Sequence, residues 1–506
     1  MRFSAATRGE SSSLSASMSP ASRSRIPAMR SRVSAVLMAC LALGACAHAR
    51  PADVAMPAAF EGAKGPADRA PPGSIDLDRW WLAFNDPQLN GLIEQALARN
   101  PDARSAAARL TEARANRIES LTHYLPQGDV TGSTRSTDTH QLAGTVFNFP
   151  GFSSSGVSNA SSANLNVSWE VDIFGRFLAT RQAVNGDIAA ARFNYEGARA
   201  SLAANVADAY FLARGLAIQL ADARESQRIQ QELYDTAAKR GALGLAPTSD
   251  ADRVAGDLAQ AKALAEGLEA QLQAERRTLL ILAGRIVEPT SNIAVEASVG
   301  ELPPVPDSLP SELLKRRPDV REASARVAAA TGRSQTDILA LLPVINWTPG
   351  LAWSKQSQPG FSVTTQSVIA GGAITQPLFS IPKLLAELKA QNARTEQAVI
   401  AYEKSVQTAF ADSEGALVNL DADRRRVALL TDGEARAARG YRASKLGYDR
   451  GLTDLQTALS AEQSWRSTRS QLTGAQVQAA RRTIQVYKAL GGGWPAERFP
   501  TDKQAR

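Results

Sequence analysis

One offset organises the chain. Shifting the sequence by 217 residues lays Pro318 on Pro101, Asp319 on Asp102, Arg321 on Arg104, Arg326 on Arg109 and Pro343 on Pro126. Five identities at a single shift within 26 residues, with both prolines in phase, mark an internal duplication. Whatever supersecondary unit the first half makes, the second half makes again and must pack beside it.

Each half opens with a helix, residues 100–125 and 317–342, closed by Leu125-Pro126 and Leu342-Pro343. A strand pair follows. In the first half it is 127–135 and 164–173, and the second member alternates strictly. Leu165, Val167, Trp169, Val171 and Ile173 are apolar; Asn164, Asn166, Ser168, Glu170 and Asp172 are polar. That is the pattern of a strand with one dry and one wet face. In the second half the pair is 344–353 and 368–378, with 354–367, containing Pro359-Gly360, read as a long polar loop. Then come two Ala-rich helical stretches, 176–243 and 382–449, each on the order of 100 Å long. Helices of that length need partners along them, as in a coiled coil. Turns at 241–247 and 449–454 lead into return helices at 249–283 and 455–490, which stop at Gly284 and Gly491. A return helix and an opening helix together nearly match a long helix, so the two are expected to stack end to end beside it.

The first 45 residues read as a targeting segment rather than as fold. Arg30 and Arg32 precede a short apolar run, and Leu43-Gly44-Ala45-Cys46 closes it like a bacterial lipobox, with Cys46 as the lipidated first residue. Met29 is a second possible translation start. Six arginines and one glutamate in residues 1–45 give +5 of the net +7, leaving about +2 for the rest. The basic balance therefore carries no argument for nucleic acid. The only cysteines are Cys40 and Cys46, and the only histidines are His48, His123 and His140. No metal-ligand spacing, phosphate loop or nucleophile motif exists, so neither an enzyme nor a cofactor or metal is expected. No apolar run reaches eighteen residues, which excludes a helical inner-membrane protein.

Four strands of about 9–11 residues are long enough to cross a bilayer. Four cannot close a barrel, and lipid does not tolerate open sheet edges, so spanning demands association. Three copies would supply twelve strands, within the known range, although closure alone permits other multiples. On this reading Trp169, Val171 and Ile173 face lipid while Glu170 and Asp172 line a watery lumen.

The repeat of helix, hairpin, long helix and return helix resembles the TolC family of outer-membrane factors. Cys46, Trp80-Trp81 with Phe84-Asn85-Asp86-Pro87-Gln88-Leu89, Ser168 to Arg176 (SWEVDIFGR), Leu309 to Leu314 running into Arg316-Arg317-Pro318-Asp319-Val320, and Leu490-Gly491-Gly492-Gly493-Trp494 are similar to its lipoprotein branch, the OprM-like and NodT-like members. The resemblance covers about residues 70–495 and departs at Phe379-Ser380-Ile381-Pro382, where the family often has an Asp-Gly-Gly-type corner. It implies an α+β membrane protein: a trimeric twelve-stranded β-barrel in the outer membrane, continuing into a long periplasmic α-helical barrel. It also implies work with a periplasmic membrane-fusion adaptor and an inner-membrane pump of the resistance-nodulation-division type, with passive exit of drugs or other small toxic molecules. The division that follows is 1–45 signal peptide, 46–75 lipidated tether, 76–284 first repeat, 285–310 Pro-rich connector, 311–491 second repeat and 492–506 tail. Asp449, Asp454, Arg240 and Asp250, at the far turns, are the gate candidates; an Asp repeated by three-fold symmetry makes a charged ring. The alternatives are a type I protein-secretion duct and a periplasmic coiled-coil scaffold lipoprotein that never spans.

Overall fold

The structure, a computed structural model, describes residues 52–61, 69–70, 75–140, 142, 156–245, 247–306 and 310–496. Cys46, the signal segment and most of the terminal tail lie outside the described residues. Helix α1 (Pro87–Arg99) begins where the Asp86 carboxylate accepts the N–H groups of Gln88 and Leu89, with Pro87 in the first turn. Then come α2 (Pro101–Thr122), β1 (Gln127–Thr139), β2 (Gly156–Glu170), α3 (Arg176–Ala242) and α4 (Thr248–Leu282). The same order returns as α5 (Pro318–Leu339), β3 (Val344–Gln358), β4 (Phe361–Thr375), α6 (Ile381–Asp449) and α7 (Leu455–Ala489). The paired elements match closely in length: α2 and α5 have 22 residues each, α4 and α7 have 35 each.

The opening and return helices do meet end to end. Asn100 accepts the N–H of Asp102 at 2.7 Å, starting α2, and donates to the Leu282 carbonyl at 3.0 Å, finishing α4. The chain then turns at Gly284, whose φ of 71° suits glycine and whose missing Cβ leaves room for Arg99. In the second half Arg317 reaches the Ala489 carbonyl, and Gly491 (φ 80°) presses on the backbone of Arg316. Helix α3 packs on α2 and α4, α6 packs on α5 and α7, and α3 also packs on α5 and α7, which joins the halves. Small residues permit this: a Cβ on Gly186 would lie 2.6 Å from the Ala329 backbone nitrogen, and one on Gly332 would lie 2.5 Å from that of Ala183.

Where the end-to-end helices meet, an aromatic core forms. Trp80 stacks on Tyr487 at 5.5 Å, and Phe84 lies 5.1 Å from Phe211. Trp80 and Trp81 are packing anchors here. The segment before them also packs: buried Phe60 stacks on Phe410 of α6 at 5.6 Å. A two-residue parallel pairing, Arg69–Ala70 with Val305–Pro306, ties the connector to this level.

The four long strands form one antiparallel sheet in the order β1-β2-β3-β4. Two sequence expectations are corrected. The stretch 354–367 is not a long loop, because β3 and β4 pair as far as Gln358 and Phe361 across a Pro359-Gly360 turn, with Gly360 at φ 84°. Its Ser and Thr residues are wet on both faces, so period-2 hydrophobicity fails to report a strand held by its ladder. Strand β2 likewise starts at Gly156 and ends at Glu170, so Val171, Asp172 and Ile173 lie past its last ladder residue.

Candidate functional site

Pleat and register give the sheet two unlike faces. On one, Val130, Leu165, Val167 and Trp169 align with Ile345, Trp347, Leu351 and Trp353, and these with Val368 and Ile374. Trp169 sits opposite Trp347 with ring centroids 6.2 Å apart. Val130, Val368 and Ile374 are 76%, 78% and 73% exposed, so a large apolar surface faces outward from the chain. The opposite face carries Asp129, Thr131, Asn164, Asn166, Ser168, Asn346, Thr348 and Ser367. Both outer strands, β1 and β4, have an unpaired edge among the described residues.

Below the sheet, the two residues expected in the lumen build the corner between strand and helix. Asp172 accepts the N–H groups of Phe174, Gly175 and Arg176 through Oδ1 and that of Phe177 through Oδ2. It caps α3. Burial opposes its charge, yet the four donors hold its carboxyl below the usual range. Glu170 pairs with Arg176 at 3.0 Å, and both side chains are largely buried. Arg176 also donates to the carbonyls of Leu339 and Leu342 at the end of α5. The corner's backbone donors engage Asp172, and Arg176 engages Glu170. The expected lipid-facing Trp169 lies on the apolar face and donates its indole N–H to the Tyr124 carbonyl at 3.0 Å. Ile173 is exposed at the corner, and the Val171 N–H still reaches the Ile345 carbonyl at 2.8 Å.

At the far end, three of the four gate candidates converge on Tyr448. Arg240 donates to the Tyr448 carbonyl at 3.1 Å and lies over its ring at 4.6 Å, tying the end of α3 to the end of α6. Burial pushes the Tyr448 hydroxyl up; the charge of Arg240 opposes that, while Asp250 and Asp449 add to it. Asp449 itself pairs with Lys445 at 3.1 Å. Asp454 stands apart: it caps α7 through the Thr457 N–H at 2.7 Å, and the Thr457 hydrogen bonds lower its pKa. The turns expose Leu243, Leu245 and Leu452, each more than 70% accessible.

Sequence reasoning missed Tyr448 and also Glu462. Fully buried Glu462 accepts from Ser226 at 3.3 Å and Gln230 at 3.2 Å and lies 3.2 Å from Arg466. Burial pushes its carboxyl up against the pull of Arg466 and these hydrogen bonds. Only a helical wheel aligned across α3 and α7 could have revealed it. Among the described residues no helix is long and apolar enough to cross a membrane, and no cluster could hold a metal ion.

A family profile described as "Outer membrane efflux protein" matches residues 92–285 and 309–492, both copies of the helix, hairpin and long-helix unit. The chain belongs to the outer membrane efflux protein family. This efflux protein is 29% identical over 480 residues to the pyoverdine export outer membrane protein OpmQ of Pseudomonas aeruginosa, covering 92% of this chain and 97% of that one. It is 27% identical to the cation efflux system protein CusC of Escherichia coli, covering 82% and 88%. Its fold superposes on the outer-membrane channel OprN with a TM-score of 0.75 at 27% identity, over 89% of this chain and all of that one. The TolC-type resemblance is thereby established. The protein is an outer-membrane channel component of an efflux system.

Proposed function

We propose that three copies of this chain close a twelve-stranded barrel, and that their helices continue it as a periplasmic conduit. The observation that carries this reading is the four-stranded sheet with one apolar face, one polar face and two unpaired edges. Such a sheet is unsatisfied in lipid until its edges meet those of other copies. Small toxic molecules leave passively through it, delivered by a resistance-nodulation-division pump and a membrane-fusion adaptor. Cys46 is lipidated and anchors the tether of residues 46–75. The repeats span 76–284 and 311–491 on either side of the 285–310 connector. The exposed Leu243, Leu245 and Leu452 offer the adaptor an apolar surface at the turns.

The closed tip is held where Arg240 clasps the Tyr448 turn, with Asp250, Asp449 and Asp454 as the charges around the aperture. Reconstituted protein should run as a heat-resistant trimer and open channels in planar bilayers. Asp449→Ala and Asp454→Ala are each expected to raise single-channel conductance. Unchanged conductance in both removes the carboxylates from the gate, and a monomeric, non-conducting product removes the channel reading itself.

A further inference from the structure

The duplication supplies a template for a contact that a single chain does not contain. Within one chain the two halves meet at the β2–β3 seam, where Trp169 lies opposite Trp347 and Glu170 opposite Asn346. In closed association the remaining seam joins β4 of one copy to β1 of the next. β4 stands in the second half where β2 stands in the first, with an offset of 205. β1 and β3 start in phase at the offset of 217. Carrying the observed register through both offsets places Ile374 of one copy opposite Val130 of the next, as Trp169 lies opposite Trp347. Both residues lie on the apolar face and both are among its most exposed members. A one-residue slip would set Ile374 against Asp129 or Thr131 on the polar face instead.

The flanking corners are complementary in the same register. At the internal seam, Arg176 crosses from the first half to cap the carbonyls of Leu339 and Leu342. The equivalents of those carbonyls are Thr122 and Leu125, and the side chain of Gln127 in the same chain already donates to both. The equivalent of Arg176 is Ile381, which starts α6. Nothing polar is required across this seam. Its two sides instead display Leu378 and Phe379, 60% and 101% exposed, and Leu125, 56% exposed.

We propose that one copy's β4 pairs antiparallel with the β1 of a second copy with Ile374 opposite Val130, and that Leu378 and Phe379 seat against Leu125 of that second copy. The seam within a chain is pinned by charge; the seam between copies is an apolar clasp. This rests on the trimer reading and adds its register and its contact residues.

Paired cysteines test it in isolated outer membranes. Residues directly opposite in a ladder have Cβ atoms about 4.5–5.5 Å apart, close enough for mild oxidation to bridge them. Val130→Cys with Ile374→Cys is expected to give covalent trimers on non-reducing gels. Thr131→Cys with Ile374→Cys, which points to opposite faces, should give none, and each single variant should stay uncrosslinked. Trimers that persist natively while the Thr131 pair crosslinks and the Val130 pair does not would overturn the register. Phe379→Ser is expected to lower the temperature at which the native trimer dissociates in detergent, and an unchanged temperature would overturn the clasp. Absence of any native trimer in the unaltered protein would remove the trimer reading together with the register built on it.

Discussion

The two strand-to-helix corners occupy equivalent places and are built from opposite chemistry. After β2, Glu170, Asp172 and Arg176 make a charged corner that caps α3 and reaches across to α5. After β4, the equivalent positions hold Thr375, Pro377 and Ile381, and the N-cap Ser380 makes no side-chain cap. Only the Gln376 side chain, donating to the Leu341 carbonyl at 3.0 Å, links this corner back to its own half. A corner whose partner is in the same chain can invest in buried charge, because folding positions every group at once. A corner whose partner arrives as another molecule is safer apolar, since an unpaired buried charge is costly until association.

The largest expected effect breaks the charged corner. Arg176→Met removes the partner of Glu170 and uncaps two carbonyls, and stability should fall by about 3–5 kcal/mol. Urea unfolding of the detergent-solubilised protein measures it. If the comparison is right, Ile381→Met should change the same midpoint by less than about 1.5 kcal/mol, as a near-isosteric swap does. The next effect lies farther from the sheet along the same seam. Gly186→Ala would drive its Cβ into the Ala329 backbone, which cannot yield as a side-chain tip can. A loss of about 1–3 kcal/mol is expected from overpacking. The position equivalent to Gly186 is Gln391, whose buried side chain donates to the Ala330 carbonyl of α5 in place of a glycine contact. An unaltered melting temperature for Gly186→Ala would mean that the α3–α5 crossing is looser than its geometry.

These contrasts explain what could and could not be read from sequence. The offset of 217 exposed the duplication because prolines and helix-opening Asp residues sit at element boundaries, where local chemistry dictates them. The long helices announced themselves by Ala content, and the return helices by Gly284 and Gly491 at their ends. The alternation through Trp169 to Ile173 showed a two-faced strand but ran three residues too far. Nothing in a period-2 pattern reveals that Asp172 will take four backbone N–H groups and end the ladder. The distal halves of β3 and β4 were illegible for another reason: apart from Phe361 and Val363 they are polar on both faces, so the cross-strand ladder rather than an alternating pattern defines them. The tip was legible by residue type but not by contact. Asp454 caps α7 through Thr457, and the clasp of Arg240 on Tyr448 joins residues 208 apart in sequence.

The smallest effects sharpen the corners through their caps. Asp172→Asn keeps an acceptor but loses the charge facing four N–H groups, and about 1–2 kcal/mol should be lost at neutral pH. The carboxyl of Asp172 is held below its ordinary range in the folded protein. Its contribution is therefore fully present above the unfolded carboxylate pKa, about 3.9, and disappears as pH falls through the lower folded value. The unfolding curves of the unaltered protein and Asp172→Asn should thus converge as the pH falls from about 3.9 through that lower folded value. A gap that stays constant throughout acidification would show that the charge of Asp172 does not cap α3. The reverse graft, Ser380→Asp, should gain less than about 0.5 kcal/mol. Ser380 has φ −89° and ψ −4°, already helical, whereas a capping side chain reaches its N–H partners from an extended residue. A gain as large as the Asp172 loss would mean that the two corners differ in sequence alone and not in backbone.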